Sequence, residues 1–281
     1  MLPADYDFIC ALLKDQSGLF LPADKQYLVK SRLLPVAKGA GLPDVTSLIQ
    51  RLKVRSDTVL RDAVVDAMTT NESFFFRDKL PFEHFNACIM PNLLARRAAT
   101  RSIRIWCAAA STGQEPYSLA ICLKEMREKL HGWRIEIVGT DISTQALERA
   151  IQGRYSSFEV QRGLPIQMLV KYFTQTGDQW EIAQDIKSMV SFRKFNLLHS
   201  YASLGQFDVV FCRNVLIYFD PRTKTDVLNR IAGVMKPDGY LLLGAAETIV
   251  GLTDSFRTMT DRRGLYEVNS DHTAMGRVAR L

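Results

Sequence analysis

The pattern of the chain changes near residue 100, and that change limits its fold more than any other feature. Beyond it, short dense apolar stretches alternate with helical patterns. Arg104–Ala108 reads as a strand, and Pro116–Leu130 as a helix that Pro116 is suited to open. Arg134–Thr140 is a strand ending at Asp141, followed by a helix over Ser143–Ile151. Phe207–Cys212 is a strand, Thr223–Met235 a helix and Tyr240–Gly244 another buried strand. Such alternation, with strands apolar on both faces, calls for a parallel sheet covered by helices on both sides. Ligands of such sheets bind outside the carboxyl ends of the strands.

Before the change only helical stripes occur. Tyr6, Phe8, Ile9, Leu12 and Leu13 form one, Tyr27, Leu28, Leu33 and Leu34 a second. Gly39, Gly41 and Pro43 break the chain, with Asp44 placed to cap a third stripe of Val45, Leu48, Ile49 and Leu52. Leu60, Val64, Val65 and Met68 make the last. The expected organisation is a helical domain over residues 1–70, a linker over 71–99 and an α/β domain over 100–269. Within the last, turn signals among Trp180, Ile182 and Val190 predict a helix near Pro165–Phe173 and an antiparallel insert at residues 160–192. Residues 270–281 read as a loose tail.

Composition excludes several classes. The 281 residues suit two domains, and 47% hydrophobic with 23% charged residues excludes a disordered or fibrous chain. No apolar run approaches the ~18 residues of a membrane span. Met1–Cys10 carries two aspartates and no basic start, unlike a signal peptide, so the expected compartment is the cytoplasm without membrane insertion. Five cysteines without a C-x-x-C pair and four dispersed histidines argue for free thiols and no metal site. The formal net charge of +6 implies an acidic partner. Lys25, Lys30, Arg32, Lys38, Arg51, Lys53, Arg55 and Arg61, opposed only by Asp44 and Asp57, equal that whole excess.

The first strand runs into Ala108-Ala-Ala-Ser-Thr-Gly-Gln-Glu-Pro-Tyr-Ser118, a small-residue turn that lets backbone approach a ligand. It lacks the glycine patterns of dinucleotide and P-loop sites. Glu115 stands where a phosphate would need donors, and suits a cationic ligand such as S-adenosylmethionine. A tight turn with Glu115 set against the helix dipole explains the same residues. Asp141 is placed to accept from ribose hydroxyls, or to cap the next helix. Arg213 and Asn214 follow a buried strand and fall on the crevice, or form a salt bridge and a turn. Tyr218 reads as core on spacing alone. Lys236-Pro-Asp-Gly239 reads as a helix stop and turn of architectural role. In Thr69–Asp78, three phenylalanines suggest core anchoring, while Asn71, Ser73 and Arg77 stand free to edge a site.

Together, Asn71-Glu-Ser-Phe-Phe-Phe-Arg77, the turn ending at Ser118, Gly139-Thr-Asp-Ile142, Phe195-Asn-Leu-Leu198, Phe211-Cys-Arg-Asn-Val-Leu-Ile-Tyr-Phe219 and Lys236-Pro-Asp-Gly239 resemble the chemotaxis receptor methyltransferases, the CheR family. The resemblance spans roughly residues 1–268 in matching order. It implies an α/β fold: a Rossmann-like S-adenosylmethionine-dependent methyltransferase domain, an N-terminal all-helical domain and a small inserted antiparallel β-subdomain. It implies methyl transfer to glutamate carboxylates of chemoreceptor helices, with S-adenosylhomocysteine as product.

By position, Asn71, Ser73 and Arg77 would line the methionine end of the cofactor, and Glu115 would hold its methionyl group. Asp141 would take the ribose, Asn196 and Leu197 would border the adenine, and Arg213 and Asn214 would complete the pocket. Arg77 and Tyr218 would lie nearest the transferring methyl, and Lys25–Arg61 would face the receptor. Ser73 stands where relatives often have threonine, which keeps the hydroxyl. The short connection through Thr176-Gly-Asp-Gln179 suggests docking without a C-terminal peptide tether.

Two rivals share the fold. A nucleic-acid methyltransferase would usually carry an N/D-P-P-Y/F element where Arg213-Asn-Val-Leu stands, so nucleic acid is not the expected partner. A non-catalytic cofactor-binding regulator would have little reason to keep Arg77, Glu115 and Tyr218 together.

Overall fold

The computed structural model describes residues 1–54 and 57–269. The expected tail at 270–281 and Arg55 lie outside them.

Four helices come first: α1 (Pro3–Ser17), α2 (Gln26–Gly39), α3 (Val45–Val54) and α4 (Thr58–Met68). Their inner faces share one core of Ile9, Leu13, Val29, Leu33, Leu48, Ile49 and Val64, each fully buried. Asp44 accepts from the Ser47 N–H at 2.7 Å, and Asp57 caps α4 through the Leu60 N–H at 3.0 Å. The stripe of α2 differs from expectation. Val29, Leu33 and Ala37 point inward at four-residue spacing, leaving Tyr27 and Leu34 exposed.

The second unit is built on ten strands: β1 (Ser102–Ala108), β2 (Arg134–Asp141), β3 (Arg154–Ser156), β4 (Phe173–Thr176), β5 (Gln179–Ile182), β6 (Val190–Lys194), β7 (Phe207–Cys212), β8 (Met235–Leu243), β9 (Phe256–Thr258) and β10 (Leu265–Val268). Seven form a sheet ordered β6-β2-β1-β7-β8-β10-β9, parallel from β6 to β8 and antiparallel beyond. Its side chains alternate between two cores. Ile103, Ile105 and Cys107 face one layer, while Trp106 and Ala108 face the other. The chain leaves β1 toward β2 on one side, and β7 pairs on its other side. That reversal opens a crevice at the carboxyl ends of β1 and β7.

The remaining helices are α5 (Leu80–His84), α6 (Met90–Arg96), α7 (Gln114–Glu125), α8 (Thr144–Gln152), α9 (Ser157–Gln161), α10 (Ile166–Tyr172), α11 (Gln184–Lys187) and α12 (Pro221–Gly233). The segment read as a linker divides in two. Residues 71–79 run along the crevice, while α5 and α6 form one rod joined by a π turn over Phe85–Ile89. Pro91 lacks an N–H and its ring would press on the Ala87 carbonyl in a regular helix; the wide turn relieves that clash. Phe82, Phe85, Ile89 and Leu93 bury this rod against the sheet, so it is part of the core.

The small antiparallel sheet, ordered β3-β5-β4, begins at Arg154 and ends at Ile182. That is earlier at both ends than the expected 160–192. Val190 opens β6, which pairs in parallel with β2 and belongs to the main sheet. The turn between β4 and β5 holds two residues, and Gly177 has φ 64°, as such tight hairpins require. The three phenylalanines also diverge. Phe75 is fully buried, edge-on to Tyr155 and Phe173, whereas Phe76 packs on Phe82 and Phe74 lies between two arginines.

Lys236-Pro-Asp-Gly239 is a second difference: it lies inside β8, where the register with β7 shifts between Phe207 and Val209. Charge explains the irregularity. Asp208 is fully buried, and its carboxylate accepts from Arg97 Nε, Lys236 Nζ and the Arg104 N–H, each at 2.8 Å. Arg97 also reaches Asp238 at 2.5 Å. Removing Asp208 leaves two cations around an empty space. Asp208→Ala should cost about 3–5 kcal/mol in urea denaturation, against under about 1 kcal/mol for an exposed pair such as Lys171–Glu125.

Candidate active site

A cavity opens at the carboxyl ends of β1, β2 and β7, closed from above by the helical domain. All ten sequence-predicted residues line it: Asn71, Ser73, Arg77, Glu115, Asp141, Asn196, Leu197, Arg213, Asn214 and Tyr218.

Its floor is the turn after β1. Ala109 and Ser111 have φ of 74° and 51°, and Gly113 has φ of 94°. Such a run strains alanine and serine, and it is held by fixed bonds. The N–H groups of Ala109 and Ala110 both donate to the Thr140 carbonyl, at 2.9 and 2.8 Å. A Cβ on Gly113 would come within 3.0 Å of Ala150, so this position needs glycine for space as well as φ. Gly113 then starts α7 and places Glu115 in its first turn, where the helix dipole favours a carboxylate.

Glu115 is buried, and its Oε2 accepts from Arg213 Nη1 at 2.6 Å. Burial pushes its carboxyl above the ordinary range, and the Arg213 charge opposes that rise. Arg213 leaves the end of β7 with a side chain 1% exposed. Its Nη2 donates to Asp78 Oδ2 at 2.7 Å and to the Arg77 carbonyl at 2.8 Å. One guanidinium thus ties three segments, β7, α7 and residues 77–78, and its Nε has no protein partner.

Asp141, at the end of β2, is also buried. Its Oδ2 accepts from the Ser111 N–H at 2.8 Å and its Oδ1 from the Ser143 N–H at 2.9 Å. Burial raises this carboxyl too, against the pull of those N–H groups. The cap of α8 is Ser143, not Asp141. Asp141 instead joins the turns after β1 and β2 and keeps lone pairs for a further donor.

The Asn196 amide is already bonded within the protein. Its Nδ2 donates to the Gln16 carbonyl at 2.7 Å and its Oδ1 accepts from Leu198 at 2.9 Å. It edges the cavity, but its amide is used to fasten α1. The Asn71 side-chain amide makes only long contacts among the described residues, to Thr69 and Ser143 at 3.2 and 3.4 Å. Arg77 donates to the Glu72 carbonyl at 2.9 Å and lies over Phe74 at 5.3 Å. Tyr218 is half-buried, fixed through its carbonyl by the Phe20 N–H at 2.9 Å.

The sequence reading missed four contributors. Ser17, the last residue of α1, and Leu19 just beyond it line the cavity from the helical domain. Ser111 donates through its hydroxyl to the Asn71 carbonyl at 2.9 Å, closing the floor against residues 71–77. Glu247 gathers the N–H groups of the loop after β7. A local signal existed only for Ser111, inside the small-residue turn.

The lining holds two buried carboxylates and, among the described residues, no lysine. That set fits a ligand with a cationic amine and a ribose, and not a phosphate. With the strand order, it defines a Rossmann-like S-adenosylmethionine-dependent methyltransferase. Residues 4–69 match the CheR methyltransferase all-alpha domain, and residues 71–265 match the CheR methyltransferase S-adenosylmethionine-binding domain. The chain is 42% identical over 266 residues to chemotaxis protein methyltransferase 1 of Pseudomonas aeruginosa, covering 93% of this chain and 96% of that one. It is 41% identical over 264 residues to chemotaxis protein methyltransferase 1 of Vibrio cholerae, covering 93% and 95%. The chain therefore belongs to the CheR methyltransferase family. It is an enzyme that uses S-adenosylmethionine for methylation in chemotaxis, releasing S-adenosylhomocysteine. No helix among the described residues is long and apolar enough to cross a membrane.

Arg213→Ala would strand Glu115 without its counter-charge and free residues 77–78. A loss of about 3–5 kcal/mol in urea denaturation is expected, because a broken buried pair leaves an uncompensated charge.

Proposed function

We propose that this enzyme methylates glutamate side chains on the signalling helices of chemotaxis receptors. The observation that carries this reading is the convergence of Arg77 and Tyr218 on the cavity that Glu115 and Asp141 line. S-adenosylmethionine, when bound, supplies an electrophilic methyl group. Glu115 holds the amino group of its methionyl end, Asp141 takes the ribose hydroxyls, and Asn196 and Leu197 border the adenine. Asn71, Ser73, Arg213 and Asn214 complete the pocket, Arg213 by holding Glu115 in place.

A glutamate, with an ordinary pKa of about 4.3, is ionised at neutral pH and needs no general base. The protein's work is in-line approach and partial removal of water from the carboxylate. Arg77 orients the incoming carboxylate through charge-assisted hydrogen bonds, and the Tyr218 hydroxyl fixes its angle. Over-strong pairing with Arg77 would stabilise the ground state and slow transfer. The contact of Arg77 with the Glu72 carbonyl and its place over Phe74 restrain its position without a protein carboxylate bonded to it.

Docking is assigned to the basic segment Lys25–Arg61, with receptor acidity as the complement. Part of that charge is already used. Lys25, Arg51 and Lys53 face Asp24, Asp57 and Asp5, and Arg32 donates to the Met68 and Thr69 carbonyls. Lys30 and Lys38 remain exposed on α2, near Tyr27 and Leu34. This docking needs no C-terminal peptide tether and takes place at the cytoplasmic part of the receptor.

The deciding experiment offers labelled S-adenosylmethionine and receptor-containing membranes, then treats the product with mild alkali. Volatile methanol shows a carboxyl methyl ester. Alkali-stable label would mean nitrogen or nucleic-acid methylation, and no transfer with intact product binding would mean that the wrong receptor was offered or that the protein is a binding module. Arg77→Ala should lose most turnover, on the order of 100-fold, while retaining some S-adenosylhomocysteine affinity. Methylation should slow as salt rises, and a rate independent of salt would remove the electrostatic docking.

The raised Glu115 carboxyl sets a pH dependence. Binding the product's ammonium needs the ionised form, so affinity is present above the raised pKa and is lost as pH falls through it. Calorimetric titration should show that loss at a pH above the ordinary glutamate value of about 4.3, and Glu115→Gln should flatten it.

A further inference from the structure

Glu247 lies in the loop after β8, and both of its carboxylate oxygens are occupied by backbone N–H groups. Oε2 accepts from Asn214 at 2.8 Å and Gly244 at 2.7 Å. Oε1 accepts from Val215 at 3.0 Å and Ile217 at 3.3 Å. Three of these four donors belong to the loop that carries Arg213, Asn214 and Tyr218. Asn214 has φ 58°, a left-handed conformation that nothing else in this loop's sequence favours. The approach is close: a Cβ on Gly244 would meet Glu247 Oε2 at 2.7 Å, Asn214 Nδ2 at 2.8 Å and the Asn214 nitrogen at 2.9 Å. Only glycine leaves room for the loop to lie against the end of β8.

We propose that Glu247 is a positioning residue for methyl transfer: its carboxylate stands in for a missing strand partner and fixes the loop after β7, setting where Tyr218 meets the substrate. No neighbouring strand satisfies those three N–H groups, because the chain turns away into the short helix Leu216–Tyr218. Four N–H groups on one carboxylate fix the loop to the end of β8. The other restraint on Tyr218 is its carbonyl, held by Phe20 of the helical domain. Tyr218 is thus set by β8 on one side and by the helical domain on the other. Glu247 has no oxygen left to bond a substrate, so its effect on rate passes through the loop. This inference rests on the role of Tyr218 given above.

The test is Glu247→Gln in the full chain. The amide keeps the shape but replaces one acceptor by an NH2 group that faces two N–H donors. Amide hydrogen exchange at Asn214, Val215 and Ile217 should quicken by about tenfold or more while β1 and β7 exchange as before. The turnover number with receptor membranes should fall about 10–100-fold, with the dissociation constant for S-adenosylhomocysteine changed less than about threefold. Glu247→Asp keeps the charge on a shorter arm and should recover part of both effects; it also carries the test should the glutamine variant fail to fold. Unchanged exchange in this loop overturns the proposal. So does faster exchange with turnover within about twofold of wild type, or a loss of turnover matched by an equal loss of product binding. Wild-type enzyme on the same membranes separates this outcome from failure of the receptor reading, because only the latter would leave the wild type without an alkali-labile product.

Discussion

The site depends on one buried ion pair. Arg213 and Glu115 come from β7 and α7, 98 residues apart, and meet at 2.6 Å with almost no access to water. Two charges removed from water are costly unless each is well bonded. Arg213 meets that condition by also bonding Asp78 and the Arg77 carbonyl. Two of its partners therefore belong to the segment that carries Arg77. Burial raises the Glu115 carboxyl and the Arg213 charge opposes that rise, and the same arginine draws residues 77–78 over the sheet.

The rest of the cavity follows from how the helical domain is fastened to the sheet. Asp66 of α4 accepts from the Ser143 hydroxyl at the start of α8, and the Gln16 carbonyl in the last turn of α1 accepts from Asn196. Lys14 pairs with Asp220 at 2.7 Å, and Phe20 bonds the Tyr218 carbonyl. These bonds lie around the rim, so the two domains share the wall of one pocket. The inserted β-subdomain joins the same rim. Arg162 stacks on Phe74 at 4.3 Å and pairs with Glu72 at 2.8 Å. A Cβ on Gly163 would stand 2.1 Å from the Phe75 carbonyl, so backbone lies directly on backbone there. The insert is thus bonded to the strip that holds Arg77.

Much of this was legible in the sequence because strands and motifs are local. Apolar runs located β1, β2, β7 and β8, and the small-residue turn with Glu115 pointed to the crevice. The misreadings have long-range causes. Val190 was grouped with the insert because its pairing to Ile137 crosses more than fifty residues. Lys236-Pro-Asp-Gly239 looks like a turn, yet the buried Asp208 draws Lys236 and, through Arg97, Asp238 into the strand. Asn196 gives no hint that its amide serves α1, and Glu247 no hint that four N–H groups await it. The residues that touch the ligand space were readable; those that hold them in place came from partners distant in sequence.

The central claim is that a buried, arginine-held carboxylate and a second carboxylate on the neighbouring strand receive the two ends of the cofactor. A crystal structure of the protein with S-adenosylhomocysteine tests this most directly. The account predicts the product's amino group on Glu115, its ribose hydroxyls on Asp141, and the sulfur turned toward Arg77 and Tyr218. A ligand with its ribose at Glu115, or with its sulfur turned away from Arg77, would contradict it.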